Sequence, residues 1–215
     1  MCGIAGILGR VDDFNRAALE RMSAAIAHRG PDASGTWVST PDSRGRGALL
    51  AFRRLAILDL SPAGDQPMVD PVTGHVVVFN GEIYNFRDLR RRLEAEGQEL
   101  RSTGDTAVML RALGLHGPEA VGWLRGMFAF ACWDPKERKL LLARDPLGIK
   151  PLYLARSTDP DSGWSLAFAS ELRALLASGL LGATRLDPEA VASSARSSEA
   201  KASDQPESGS VDRAK

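Results

Sequence analysis

The chain has 215 residues, 44% hydrophobic and 25% charged, with 27 lysines and arginines balancing 27 aspartates and glutamates. That is enough for one good-sized domain with a full core, and the zero net charge gives no electrostatic case for a nucleic-acid or anionic-membrane partner. No apolar run approaches the roughly 18 residues of a membrane span, the N-terminus lacks the regions of a signal peptide, and the two cysteines, Cys2 and Cys132, exclude a disulfide framework and fit a reducing cytoplasm.

Cys2 stands directly behind the initiator methionine. If Met1 is removed, Cys2 carries a thiol and a free α-amine in one residue, and an ordinary α-amine, with a pKa of about 7.7–8.0, is suited to act as the thiol's base. Position alone favours the plainer reading, a start codon that happens to precede a cysteine. Cys2 to Leu8 reads as a short apolar strand. Leu19, Met22 and Ile26 then share one face of a helix that Asp12 or Asp13 can cap. His28-Arg29-Gly30-Pro31-Asp32 stops that helix at a Gly-Pro break and reads as a loop fixed by proline and polar contacts as readily as a catalytic pair.

Ala48 to Leu58 reads as one strand interrupted by Arg53 and Arg54, for which surface exposure is the plain expectation. Ser61 to Pro67 is a loop by composition. His75 to Phe79 is the strongest strand signal, β-branched and aromatic, and it runs into Asn80-Gly81-Glu82, which by itself suggests a tight turn. From Asn85 an amphipathic helix presents Phe86, Leu89 and Leu93, ends at Gly97, and carries Arg90-Arg91-Arg92 on its outer surface. Ser102-Thr103-Gly104-Asp105 opens a third helix through Leu113, with Val108, Met109 and Ala112 as its apolar residues.

Met127 to Trp133 and Lys139 to Ala143 are two strands joined at Asp134-Pro135, and Cys132 within the first reads as a buried, inert thiol. Arg144 to Tyr153 is a glycine- and proline-punctuated loop entering another strand. Trp164 to Ala169 continues the β pattern and Glu171 to Ala177 is helical. Strands come in runs with helices grouped between them, which points to an α+β layered domain rather than a parallel sheet. From Ser193 to Ser210 there are seven serines and no aromatic residue, so a globular domain over 1–192 and a disordered tail over 193–215 are expected.

Seven motifs occur in one order: Met-Cys-Gly-Ile at the start, His28-Arg29-Gly30-Pro31-Asp32, Arg54-Leu55-Ala56-Ile57, Asn80-Gly81-Glu82-Ile83-Tyr84-Asn85, Gly104-Asp105-Thr106, Gly126 to Ala131, and Arg144 to Tyr153. Together they resemble the class II glutamine amidotransferase domain of glutamine-hydrolysing asparagine synthetases. The resemblance implies a four-layer αββα N-terminal-nucleophile hydrolase sandwich with two mostly antiparallel sheets. It implies glutamine hydrolysis to glutamate and ammonia, with Cys2 as the nucleophile. Asn80 and Gly81 would form the oxyanion hole, Arg54 would grip the glutamine α-carboxylate as a planar fork, and Asp105 with Glu82 would receive the α-ammonium. Leu55 and Ile57 complete the expected substrate-binding set. Phe52, Gly104 and Ala107 depart from the residues more usual in the family. The resemblance also implies that no cofactor or metal is bound by this chain. ATP and magnesium belong to a synthetase domain, of which no pyrophosphate loop is found here. The expected partners are glutamine and a separate synthetase domain or subunit. Two other readings stay open, a truncated and unproductive fragment and a glutamine-sensing subunit.

Overall fold

In the computed structural model, residues 1–56, 64–100 and 104–182 are described. In chain order their elements are β1 (Gly3–Arg10), α1 (Asp13–Ala25), β2 (Ala33–Val38), β3 (Arg46–Arg54), β4 (Met68–Val69), β5 (Val76–Ile83), α2 (Phe86–Ala95), α3 (Asp105–His116), β6 (Gly126–Asp134), β7 (Lys139–Arg144), β8 (Tyr153–Arg156), β9 (Trp164–Ala169) and α4 (Leu172–Ala177). One sheet has the order β2-β3-β1-β9-β8 and the other β4-β5-β6-β7. Every pairing in both is antiparallel.

The two-residue alternation of the strands builds the layers. Ile4 of β1, Ala48, Leu50 and Phe52 of β3, and Phe168 of β9 pack against Val76 and Val78 of β5 and Ala129, Ala131 and Trp133 of β6, so they form the core between the sheets. The intervening residues face outward onto helices. On the first sheet Ala5, Ile7, Leu49, Ala51 and Ala167 meet Leu19 and Met22 of α1 and Leu175 of α4. On the second, Val77, Phe79, Phe128, Phe130 and Cys132 meet Leu89 and Leu93 of α2 and Val108 to Leu113 of α3. Helix, sheet, sheet, helix is the expected sandwich. Each buried side chain of this size contributes about 1.5–3 kcal/mol relative to exposure.

Local chemistry sets the element ends. Asp12 caps α1 by accepting from Asn15 N at 2.9 Å, and Gly97 follows α2 with φ +80°. Some expectations are corrected. The strand of Arg53 and Arg54 ends at Arg54 rather than continuing to Leu58. Arg54 is 8% exposed rather than a surface residue. Arg53 is half-buried because its Nε donates to Ser23 O at 3.1 Å and Oγ at 3.0 Å. Asn80-Gly81 is not a turn. Eight residues of β6 pair with β5 through Ile83, and this ladder overrides the local turn preference. β2 and the two-residue β4 carry too little apolar pattern to stand out in the sequence. Ile57, Leu58 and the segment beyond Gly182, including the expected boundary near Ala192, lie outside the described residues.

Candidate active site

Alternation also fixes which polar residues gather at one end of the inter-sheet layer. Residue 2 continues the inward row of β1 after Ile4, and its side chain packs against the inter-sheet core. Arg54 continues the row of Ala48, Leu50 and Phe52, while Asn80 continues that of Val76 and Val78. Gly3 pairs with Arg53, so the start of β1 and the finish of β3 share an end. Gln66 brings β5 to the same level: its carbonyl lies beside Gly35, which pairs with Phe52, and its Oε1 accepts from Phe79 N at 2.6 Å. Cys2, Arg54 and Asn80 therefore meet at one end of one layer.

Cys2 is partly exposed. Its Sγ donates to the Leu55 carbonyl at 3.8 Å, and its own carbonyl accepts from Arg29 Nε at 3.0 Å. Arg29 in turn reaches Glu171 at 3.0 Å, and His28 meets the same oxygen at 2.9 Å. Burial alone would raise the Glu171 carboxyl, but the hydrogen bonds from Arg29 and His28 outweigh it and hold the group below its ordinary range. Ser170 ties the other side of β1, its Oγ accepting from Ile4 N at 3.0 Å. The first residues of the chain are thus gripped by an arginine twenty-seven positions away. Arg29 and Ser170 were not separable as site residues in the sequence, because both partners are backbone atoms distant along the chain. The His28 to Asp32 motif was the only trace.

The finish of β5 supplies hydrogen-bond donors with nothing to hold. Among Phe79, Gly81 and Ile83, which face away from β6 in the antiparallel ladder, Phe79 N donates to Gln66 Oε1 at 2.6 Å and Ile83 N to Asp105 Oδ2 at 2.9 Å. Gly81 N, between them, has no partner among the described residues. Next to it, the Asn80 side-chain amide is buried, and its Nδ2 also has none. Glycine is required at 81 because a Cβ there would lie 2.2 Å from the Met127 carbonyl oxygen. A buried donor without an acceptor costs about 1–3 kcal/mol, so the Asn80 amide is held here at some expense to stability. Arg29 Nη2 is a further buried donor without a partner at the Cys2 end.

Arg54 extends from the finish of β3, and its Nη1 donates to Asp65 Oδ1 at 2.7 Å. Asp65 is itself half exposed. Leu55 supplies the carbonyl facing Cys2, and Glu82 is exposed just past Gly81. Asp105 opens α3 and is tied to β5 through Ile83 N, a positioning duty its motif did not reveal. Ile57 lies outside the described residues. A further loop closes this end. Asp145 is buried and its carboxylate accepts from Phe128 N at 3.2 Å, Ile149 N at 2.9 Å and Lys150 N at 3.0 Å. Burial opposes the charge, but these backbone donors prevail and lower the Asp145 pKa.

Residues 1–208 match the profile of a glutamine amidotransferase domain. The chain is 36% identical over 185 residues to glutamine-hydrolysing asparagine synthetase 3 of Bacillus subtilis, with 82% of this chain and 28% of that protein covered. It is 38% identical over 179 residues to asparagine synthetase B of Escherichia coli, covering 82% and 30%. The chain thus spans under a third of the length of these relatives. Among solved structures, glutamine phosphoribosylpyrophosphate amidotransferase of Bacillus subtilis matches with a TM-score of 0.63 at 21% identity, over 83% of this chain and 44% of that one. At that identity the likeness establishes the fold alone, the helix–sheet–sheet–helix sandwich with two antiparallel sheets.

Proposed function

Because the chain belongs to the glutamine amidotransferase domain family, we propose that Cys2, exposed as the first residue by removal of Met1, takes ammonia from the side-chain amide of glutamine. The observation that carries this reading is the buried Asn80 Nδ2, without a partner among the described residues, next to the Gly81 N–H that faces away from β6 at the same strand end. In the first step Sγ attacks the amide carbon and the thiol proton passes to the α-amine. The carbonyl oxygen becomes an oxyanion to which Asn80 Nδ2 and Gly81 N donate hydrogen bonds. The α-amine then protonates the leaving nitrogen, ammonia departs, and a thioester remains. Water, deprotonated by the same amine, releases glutamate and restores the thiol. One oxyanion donor is worth about 2.7–4 kcal/mol of barrier.

Substrate choice rests on charge. Arg54 pairs with the α-carboxylate, Asp105 and Glu82 receive the α-ammonium, and Leu55 lines the path between. In the free protein Asp65 occupies Arg54, and a substrate carboxylate replaces or joins it. No cofactor is needed for these steps. The ammonia goes to an acceptor activated by ATP and magnesium on a separate synthetase domain or subunit, by analogy with relatives named for asparagine synthesis. Two free cysteines and no membrane-long apolar helix among the described residues are compatible with the cytoplasm as the setting.

The test is a glutaminase assay on wild-type and Cys2→Ala protein, with intact mass recorded on the same samples. The expected result is hydrolysis by the Met1-free wild type and none by the variant. Equal rates in both would remove Cys2 from the mechanism, and glutamine binding without turnover by the Met1-free wild type would make the chain a sensor instead.

A further inference from the structure

Lys150 is 6% exposed, an uncommon position for a lysine. Its backbone is fixed on both sides, the N–H by Asp145 Oδ2 at 3.0 Å and the carbonyl by Arg144 Nε at 2.8 Å. Its ammonium has one partner among the described residues, Met1 Sδ at 3.5 Å. A thioether is a weak acceptor for a buried cation, and it belongs to the residue directly bonded to Cys2. Once Met1 leaves, that partner is gone and the ammonium remains within one side chain's length of the new N-terminus.

From this geometry we infer that Lys150 is a positioning residue for the mature N-terminus, its ammonium keeping the Cys2 α-amine in the uncharged, proton-accepting form. The inference rests on the reading of Cys2 as a nucleophile with its own amine as base.

The other charges around Cys2 do not supply this field. Arg29, on the Cys2 carbonyl, is neutralised by Glu171, which also holds His28. Arg54 is paired with Asp65. Arg53 turns to the α1 side, onto Ser23. Asp32 is bound to Ala56 N at 2.8 Å. Across the layer, Asp105 is bound to Ile83 N and Glu82 is exposed. On the loop, Asp145 is occupied by three backbone N–H groups, and Arg144 bonds the Gly148 and Lys150 carbonyls. Lys150 is left as a cation facing the N-terminus with no carboxylate partner among the described residues. A second cation within a side chain's length, in partly buried surroundings, disfavours protonation of the amine by about one pH unit.

The experiment compares Met1-free wild type, Lys150→Met and Lys150→Arg, each shown to unfold cooperatively. The N-terminal amine is titrated directly by its pH-dependent reaction with acetic anhydride, read by mass spectrometry, and kcat/KM for glutamine is measured over the same pH range. Lys150→Met should raise the amine's titration midpoint and the acid limb of kcat/KM together, by about one unit, and Lys150→Arg should restore both. An unchanged midpoint, or a uniform loss of activity at every pH, overturns the role of Lys150. The proposed mechanism then still stands or falls separately, on whether Cys2→Ala is inactive.

Discussion

Arg54 and Arg111 are both buried, 8% and 4% exposed, but their surroundings differ. Arg111, on the helix flank of the second sheet, bonds Asp70 at 2.6 Å, Gln98 Oε1 at 3.3 Å and the Glu99 carbonyl at 3.3 Å. Asp70 is as deeply buried and also accepts from Val72 N at 2.8 Å and Thr73 N at 2.9 Å. Arg54 meets an aspartate that is half in water, at the end of the layer where the buried Asn80 Nδ2 has no partner among the described residues. The same two regions carry the two cysteines. Cys132 is enclosed, and burial with the nearby Asp134 and Asp70 charges pushes its thiol up to about 12. Cys2 lies partly open. Around Arg111 the buried charges meet full sets of partners, and their burial stabilises. Around Arg54 a buried amide is left over among the described residues, the feature that the proposed anion site uses.

Thiol labelling separates the regions most widely. With a pKa of about 12, Cys132 is thiolate in roughly one molecule in 10⁴ at pH 8, four units below. Native protein treated with an alkylating reagent should gain one adduct, on Cys2, and a second only after denaturation. Comparable modification of Cys132 in the folded protein would erase the distinction between the two thiols.

Removing one member of the closed cluster should be the next largest effect. Asp70→Ala strands a buried guanidinium, and breaking a buried pair in this way costs about 3–5 kcal/mol. Urea unfolding should show that loss while the folded fraction keeps its turnover. Arg54→Ala should do the reverse, raising KM for glutamine while costing less stability than Asp70→Ala, since the Asp65 it leaves behind is half in water. If Arg54→Ala unfolds the protein and leaves KM alone, Arg54 belongs with Arg111.

Asn80→Ala sharpens the contrast within one residue. Loss of an oxyanion donor should lower kcat by about 10²–10³-fold. Because Nδ2 has no partner to lose, the unfolding midpoint should hold or rise. A large stability loss at undiminished kcat would make Asn80 a structural residue.

These two regions were unequally legible in the sequence. Val76 to Phe79 and the apolar face of α1 announced themselves because one residue pattern repeats along one element. The order of motifs carried Cys2, Arg54, Asn80 and Gly81, but each motif alone read as something blander, a surface arginine or a tight turn. Their convergence depends on strand register between β1, β3 and β5, which no local pattern encodes. Arg111 lies within a helix whose apolar residues were readable, yet its burial depends on Asp70, forty-one positions away. Lys150 was visible only as part of a loop motif, because its partner lies 149 positions away.

Asp145 is the smallest test and the one that crosses the divide, for it is a fully satisfied carboxylate located at the open end. Its folded-state pKa is lowered by backbone hydrogen bonds from Lys150, Ile149 and Phe128 that outweigh burial. A depressed carboxylate contributes stability above its unfolded pKa and loses it as pH falls through the folded one. Asp145→Asn can keep one acceptor but not the charge, and should cost about 1–2 kcal/mol at neutral pH. The gap between variant and wild type should then narrow as pH drops below about 4. Gly148 with φ +64° and the Arg144 contacts keep much of the loop in place, so the effect on the fold stays small. Its effect on Lys150 is the sharper readout, since Asp145 fixes the backbone from which that ammonium extends. If the urea midpoints of the two proteins run parallel down to pH 3, the Asp145 charge is not what holds this loop.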